Sequence, residues 1–330
     1  MRKNKQMKKI FIYSLPRAGS TFLQKYLFRN NGVSTISEPW ILLPMYYMFK
    51  SGKVFSEYVH RLFLRSFSDL DGQGIDSCLL RKEMILAASK VYYSSVADSS
   101  AKVFIDKTPR YAIICQDIAN DFKDDIHVIL FRHPLSCVSS MIKTFGDGNW
   151  CLYKFEIDLY LGLREMILLA DSKENYKNLL VIRYEDFVSN PEDFYKIVCE
   201  LANLDPNDKT NLHEKPLLGT LGDPVGEKKF GEKVGNINSE YQWAATFNTI
   251  YRKWWAKRLV KQLGEERFKS MGYDIQKTRE VIKIIDYSLI QEIKDIPYII
   301  MAFLHRHTGI YVTYVKFKSL INKERTFGER

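Results

Sequence analysis

Residues 8–28 read KKIFIYSLPRAGSTFLQKYLF, an apolar run followed by a short polar loop and then an amphipathic run. The apolar run predicts a buried strand over Lys8–Ser14, and the periodic run that begins near Ser20 predicts a helix. Gly19 permits a tight turn between the two, and the amides of residues 18–21 would point at an anion on the helix N-terminus. The sequence therefore predicts a strand, an anion-binding loop and a helix in succession.

This loop differs from the P-loop of nucleoside triphosphatases. The pattern G-x-x-x-x-G-K-[ST] would place Ser14 at the first glycine and Ser20 at the lysine. Arg17 supplies a cation inside the loop, while Ser20 and Thr21 supply hydroxyl groups. These groups suit a nucleotide whose 5′ end carries one phosphate joined to a sulfate, with no obligatory metal ion. A glycine turn with an N-cap serine is the alternative interpretation.

Three further apolar runs are each followed by a turn or cap signal and then by helical periodicity; they are Lys102–Asp106, Ile126–Phe131 and Leu179–Arg183. This alternation is typical of βαβ units. It predicts an α/β protein with a P-loop-like three-layer fold, in which a central, mainly parallel sheet is flanked by helices. Sheets of this kind bind ligands beyond the carboxyl ends of their strands.

The remaining segments suggest how the chain is organised. We expect a main domain over residues 1–276, with a helical, substrate-facing insertion at about 40–98. Residues 205–240 are rich in Gly, Pro, Asn and Lys and read as a long loop. Residues 277–330 contain ten Lys/Arg and six Asp/Glu with many aromatic side chains, which indicates a basic, aromatic, helical C-terminal extension.

Composition narrows the class of partner and compartment. The chain has 49 Lys+Arg against 39 Asp+Glu, a net charge of +10, so its surface should attract anions. Its five cysteines are scattered, without a CxxC pair or a zinc-type histidine spacing. The first apolar run is too short for a secretory signal. These features favour a cytoplasmic protein with reduced thiols, either soluble or peripheral at the inner face of the membrane.

A second candidate anion site lies in HVILFRHPLSCVSSMIK, residues 127–143. This segment predicts a buried strand that changes to a helix at Pro134, a residue suited to a first helical turn. Arg132 lies at the strand's carboxyl end, and Ser140 follows eight residues later on the helix. An arginine guanidinium is a planar, multi-donor partner for phosphate. An ordinary surface arginine and helix serine are the alternative.

Together these segments resemble the sulfotransferases that use 3′-phosphoadenosine 5′-phosphosulfate (PAPS). LPRAGSTFLQKYL is similar to the family's P-R-[SA]-G-[ST]-T loop for the 5′-phosphosulfate. The spacing of Arg132 and Ser140 matches the Arg-x7-Ser motif for the 3′-phosphate. The resemblance implies nucleotide contacts from the following loop residues: Arg17, Ala18, Gly19, Ser20 and Thr21.

Two later segments extend the resemblance. RYEDF, which includes Tyr184, is similar to a strand end of the family and implies a nucleotide contact from this tyrosine, although a structural role is the alternative. FGEKVGNIN places Lys233 where relatives often supply a basic residue from a glycine-containing loop. Lys228 or Lys229 could serve instead.

The resemblance also implies the catalytic groups. Glu38 in SEPWILLP matches the catalytic glutamate of protein-tyrosine and several carbohydrate sulfotransferases, and would act as general base. A carboxylate that caps a helix beginning at Pro39 is the alternative. Lys107 in VFIDKTPRY resembles the lysine of the family's K-x-P turn, or is a surface lysine. Arg17 and Lys107 would stabilise charge on the leaving phosphate.

The function that the resemblance implies is sulfuryl transfer from PAPS to an acceptor hydroxyl, with release of adenosine 3′,5′-bisphosphate and without a metal. We expect a glycan, glycolipid or lipid-linked acceptor, and contact of residues 277–330 with an anionic membrane surface. Two other functions remain open. A P-loop kinase is disfavoured by the missing lysine, and a nucleic-acid-binding protein would fit the net charge, although no recognition module is visible.

Overall fold

The computed structural model describes residues 7–52, 54, 59–211, 216–217 and 241–308. Its centre is a five-stranded sheet of order β2-β3-β1-β4-β5 in which every neighbouring pair runs parallel. The strands are Lys8–Ser14 (β1), Val33–Thr35 (β2), Val103–Lys107 (β3), Ile126–Phe131 (β4) and Leu179–Arg183 (β5). The predicted parallel α/β sheet is confirmed, with β3 displaced by one residue from its predicted bounds.

Helices cover both faces of this sheet. Among the described residues they are Ser20–Phe28 (α1), Leu42–Tyr47 (α2), His60–Ser68 (α3), Ser77–Val96 (α4), Cys115–Asp121 (α5), Pro134–Phe145 (α6), Leu163–Asp171 (α7), Tyr184–Ser189 (α8), Pro191–Ala202 (α9), Ile250–Ser270 (α10), Ile275–Ile284 (α11) and Leu289–His307 (α12). Helix α10 has a kink at Gly264, where the backbone leaves the helical region.

The three layers follow from the two-residue period of the central strand. Ile10 and Ile12 of β1 pack in one buried cluster with residues of α1, α8 and α9. Phe11 and Tyr13 face the opposite side, in a larger cluster with residues of α5, α6, α7 and α10. Since both faces are covered, the strands are apolar throughout, as parallel strands generally are.

Strand order places a topological switch point at the carboxyl ends of β1 and β4. These strands are neighbours, with Ile12 opposite Val128, yet the chain leaves β1 towards β2 on one side and leaves β4 towards β5 on the other. Open α/β sheets bind ligands at such a switch point. The loop that contains Arg17 follows β1, and Arg132 follows β4.

The segments outside the sheet are largely helical. The insertion at 40–98 contains α2, α3 and α4, and lies between β2 and β3. In the extension, Ile282 of α11 is 1% exposed and belongs to the same buried cluster as Phe11. Over the ranges described above, no helix combines the length and apolar character needed to cross a membrane.

Candidate active site

The loop after β1 is a strained turn against the first turn of α1. Arg17 has φ 67° and Gly19 has φ 98°, and a left-handed conformation is costly for a side chain such as that of arginine. The amide of Ala18 donates to the carbonyl of Leu15 at 3.2 Å, so it closes the turn. The next amides begin the helix, where no intrahelical acceptor exists for them. They form the end of α1 that favours an anion.

The two predicted anion sites adjoin at this edge of the sheet. Arg17 Nε donates to Ser140 Oγ at 3.2 Å, and Arg132 Nη1 donates to the carbonyl of Arg17 at 3.0 Å. Arg132 Nε is buried, and among the described residues it has no hydrogen-bond acceptor. Two guanidinium groups and a hydroxyl thus meet at one edge of the sheet, and arginine is well suited to hold a phosphate group by paired hydrogen bonds.

Tyr184 joins this group from the carboxyl end of β5. Its ring centre lies 4.6 Å from the guanidinium carbon of Arg132, within the range of a cation–π contact. The ring also lies over Gly19, where an added Cβ would be 2.3 Å from Tyr184 Cε2. Gly19 therefore serves two purposes, because it allows the positive φ and leaves room for the ring.

Lys107 and Glu38 form an ion pair beside Thr21, in the first turn of the helix that follows β1. Lys107 Nζ lies 3.0 Å from Glu38 Oε1 and donates to Thr21 Oγ1 at 3.3 Å. The lysine side chain is 1% exposed and the glutamate side chain 13% exposed, so the pair is shielded from solvent. One ammonium group connects the loop of β1 with the segment after β2. The structure thus brings together two of the three residues for which catalysis was predicted, beside the helix that follows the loop with Arg17.

Two residues without a predicted role fix the position of Glu38. Gln24 of α1 is fully buried, and its amide nitrogen donates to Thr35 Oγ1 and the carbonyl of Ile36, both at 2.8 Å. Trp40 Nε1 donates to Glu38 Oε2 at 3.1 Å. The signal for Gln24 in the sequence is a polar side chain one turn after Ser20, on the same side of the helix and next to the apolar residues Phe22 and Leu23.

Trp40 also has an unusual backbone conformation two residues after Glu38. It has φ 57°, its amide donates to Thr108 Oγ1 at 3.2 Å, and it is 38% exposed. A partly exposed indole ring therefore stands next to Glu38. The SEPW sequence did not indicate this backbone conformation, since tryptophan rarely adopts it.

Two buried carboxylates, Asp106 of β3 and Asp158, have raised pKa values. Burial raises the pKa of Asp106 to about 7, although the hydrogen bond from Tyr93, 2.6 Å long, favours the charged form. Burial likewise raises the pKa of Asp158 to about 6, opposed by Arg110, whose Nε lies 2.7 Å from the carboxylate. Arg110 is therefore held by a partner of its own.

His133 connects the carboxyl end of β4 to the C-terminal helices. Its Nε2 lies 3.0 Å from Thr278 Oγ1 of α11, and its ring stacks on Trp243. Burial and the neighbouring Arg132 lower the pKa of His133 to about 3. This neutral ring begins α6 and holds α11 beside the site.

Lys233 and its alternatives, Lys228 and Lys229, lie outside the described residues. Within the described ranges, no group of three His, Cys, Asp or Glu side chains is arranged to hold a metal ion.

Comparison with known proteins identifies the family. The profile described as "Sulfotransferase family" matches residues 9–208. The nodulation protein NoeE of Sinorhizobium fredii (strain NBRC 101917 / NGR234) is 23% identical over 224 residues, and the match covers 59% of this chain and 50% of NoeE. The chain thus spans about half the length of this curated relative.

Solved structures are similar at lower identity. The sulfotransferase domain of the Synechococcus PCC 7002 olefin synthase is 21% identical, with 73% of this chain and 89% of that domain covered and a TM-score of 0.47. Mouse sulfotransferase SULT7A1, complexed with PAP, is 12% identical, with 86% and 95% covered and a TM-score of 0.41. Because the family profile covers the sheet and the residues from Arg17 to Tyr184, this chain belongs to the sulfotransferase family.

Proposed function

We propose that the protein transfers the sulfuryl group of PAPS to a hydroxyl group of an acceptor and releases adenosine 3′,5′-bisphosphate. The observation that carries this proposal is the meeting of Arg17, Arg132 and Ser140 at one sheet edge, next to the Lys107–Glu38 pair. Family membership supports the reaction type.

In this proposal the nucleotide is held at two ends. The amides from Gly19 to Thr21 and the side chain of Arg17 bind the 5′-phosphosulfate, since a helix N-terminus and an arginine both favour a dianion. Arg132 and Ser140 bind the 3′-phosphate. Tyr184, stacked on Arg132, would contact the nucleotide from β5.

The transfer step then needs a proton acceptor and a cation. The acceptor oxygen forms a bond to sulfur while the bond from sulfur to the bridging oxygen breaks, and the hydroxyl proton passes to Glu38. Lys107 and Arg17 stabilise the charge that develops on the departing phosphate. The proposal requires no metal ion.

For the acceptor we propose a glycan, a glycolipid or a lipid-linked precursor. The glutamate at position 38 is the type of base that carbohydrate sulfotransferases use, and the half-exposed indole of Trp40 beside it offers a flat apolar face with a polar edge. We further propose that the protein acts in the cytoplasm, where its basic residues 277–330 would favour an anionic membrane surface.

Thermal shift with three nucleotides tests the cofactor assignment. We expect adenosine 3′,5′-bisphosphate to raise the melting temperature far more than AMP or ATP with Mg²⁺, because only the first has a 3′-phosphate for Arg132. The Arg132→Ala variant should lose about tenfold to a hundredfold in affinity for the bisphosphate, as expected when charged hydrogen bonds are removed. Its affinity for AMP should change little.

The same experiment can contradict the proposal. Equal losses for both nucleotides would show that Arg132 does not bind the 3′-phosphate. Preferential stabilisation by ATP with Mg²⁺ would favour a kinase. Transfer of ³⁵S from labelled PAPS to a panel of glycans and glycolipids would then identify the acceptor class.

A further inference from the structure

Helix α12 exposes a broad apolar side to solvent. Two acidic side chains on its inward side bind the protein: Asp295 lies 2.6 Å from Arg252, and Glu292 accepts from the amide of Ile250 at 2.6 Å. Tyr298 and Ile299 of the same helix pack against the core. Its outward positions are almost all apolar; they are Leu289, Ile290, Ile293, Ile296, Pro297, Ile300, Met301 and Phe303. Seven of these eight are large hydrophobic side chains that are 47–71% exposed.

An apolar side of this size is seldom left in water, because surface helices normally turn the apolar side to the core. With 100° per residue, the eight outward positions occupy an arc of about 160°. A coiled-coil seam is narrower and is flanked by charged positions. Here Ile290 and Met301 widen the apolar arc beyond such a seam, so the pattern does not favour the same helix of a second copy of this chain.

The apolar surface extends beyond α12. An open groove of about 580 Å³ lies between α11 and the segment that precedes α10; its lining is mainly apolar, with Ala244, Val281 and Ile285, and includes Asp286 at one end of α11. Ile284 at its rim is 80% exposed. The amide of Ser288, directly before α12, donates to the carbonyl of Asn248 in the groove wall at 2.7 Å. Groove and helix therefore adjoin.

Aromatic and cationic side chains lie near this apolar surface. Trp254 of α10 is 49% exposed and lies under the guanidinium of Arg258, 5.4 Å from its ring centre. Tyr287 is 51% exposed between α11 and α12, and Lys283 and Lys294 are exposed on these helices. An apolar centre with Trp, Tyr, Lys and Arg around it is the pattern of protein surfaces at the headgroup level of a bilayer.

We propose that the apolar arc of α12 and the adjoining groove insert into the headgroup region of an anionic phospholipid bilayer, with α12 in the membrane plane. This inference goes beyond the proposed function and does not depend on it. It differs from a purely electrostatic attachment of the basic extension, because apolar burial supplies the binding and the cations add to it. Binding should therefore persist at high salt.

Co-sedimentation of the full chain with vesicles tests the proposal. The probes are phosphatidylcholine vesicles with and without phosphatidylglycerol. We expect sedimentation with the mixed vesicles, and retention of much of it at 1 M salt, where the Debye length is about 3 Å. Ile293→Glu combined with Ile300→Glu should weaken binding at least about tenfold, because it places two carboxylates on the inserted side. Ile197→Glu, at a position of α9 that is 47% exposed, should bind vesicles like the unmodified chain.

Three results would overturn the proposal. One is an unmodified chain that stays in the supernatant with both kinds of vesicle. Another is a double variant that sediments normally. The third is an unmodified chain that is a dimer in sedimentation velocity and a double variant that is a monomer, with neither protein bound to vesicles. A second copy of the chain would then cover α12. Because the altered side chains are exposed, the variants should fold. Unchanged binding of adenosine 3′,5′-bisphosphate by the variants would separate this test from that of the proposed function.

Discussion

At the scale of single residues, Lys107 connects the two halves of the candidate site. Its ammonium group is buried between Thr21 of the phosphate loop and Glu38 of the segment after β2. A buried ammonium needs a counter-ion, because its desolvation costs several kcal/mol. Glu38 supplies that counter-ion, so the predicted base and the predicted cation also hold each other in position.

Glu38→Gln separates the two roles of this carboxylate. The amide oxygen can still accept from Lys107, but it cannot take a proton from an acceptor hydroxyl. We expect sulfuryl transfer to slow by at least about a hundredfold, as for the loss of a general base. Affinity for adenosine 3′,5′-bisphosphate, measured by calorimetry, should remain close to that of the unmodified protein.

Glu192→Gln is the matched control, since Glu192 also pairs with a cation, Arg29, at 2.7 Å but lies on α9. It should leave the transfer rate unchanged. A Glu38→Gln enzyme that retains full activity would remove Glu38 from the mechanism and leave it a structural partner of Lys107.

The sequence predicted those site residues whose partners lie close to them along the chain. Arg17 and Gly19 lie in one loop, and Arg132 and Ser140 lie in one strand–helix unit, so chain spacing alone brings each pair into register. Gln24 could not be assigned in this way. Its partners come from β2, and only the folded chain shows that its amide fixes the segment that leads to Glu38.

At the scale of elements, the loop after β1 depends on Gly19, which lies against the ring of Tyr184 at the start of the helix that follows β5. Gly19→Ala should lower affinity for the bisphosphate by at least about tenfold, because the new Cβ would overlap the Tyr184 ring and a positive φ costs an alanine about 1 kcal/mol or more. Calorimetric titration of the variant measures this loss.

Gly74→Ala controls for the backbone conformation alone. Gly74 also has a positive φ, 80°, but no atom beyond its chain neighbours lies within 4 Å of the position that a Cβ would take there. The substitution should cost some stability and no nucleotide affinity. If Gly19→Ala binds the bisphosphate as tightly as the unmodified protein, the contact between the loop and Tyr184 does not shape the site.

Elements buried on both sides were the easiest to predict. The apolar runs of β1 and β4 have no polar face, so their pattern could be read without knowledge of their neighbours. Helix α12 shows the opposite case. Its period predicts a helix, but periodicity does not reveal which side faces inward, and here Asp295 faces the core because Arg252 is buried beneath it.

At the scale of the whole molecule, the Arg252–Asp295 ion pair bears on where the domain ends. The sequence suggests a domain that ends at residue 276, with the rest as an extension. Arg252 is 2% exposed and is bound by both oxygens of Asp295, at 2.6 and 2.7 Å. It also donates to the carbonyl of Gly148, after α6. The two described helices of the extension therefore support the element that carries Ser140.

Truncation after Gln276 tests this dependence. The shortened chain leaves the Arg252 guanidinium buried without its carboxylate and removes Ile282 from the core, so we expect the free energy of unfolding to fall by at least about 3 kcal/mol. Denaturant unfolding measures the change. Arg252→Met in the shortened chain should recover part of the loss, because it removes the uncompensated charge. A truncated protein as stable as the full chain would instead mean that residues 277–330 are a separate extension, and that the buried pair contributes nothing to the fold.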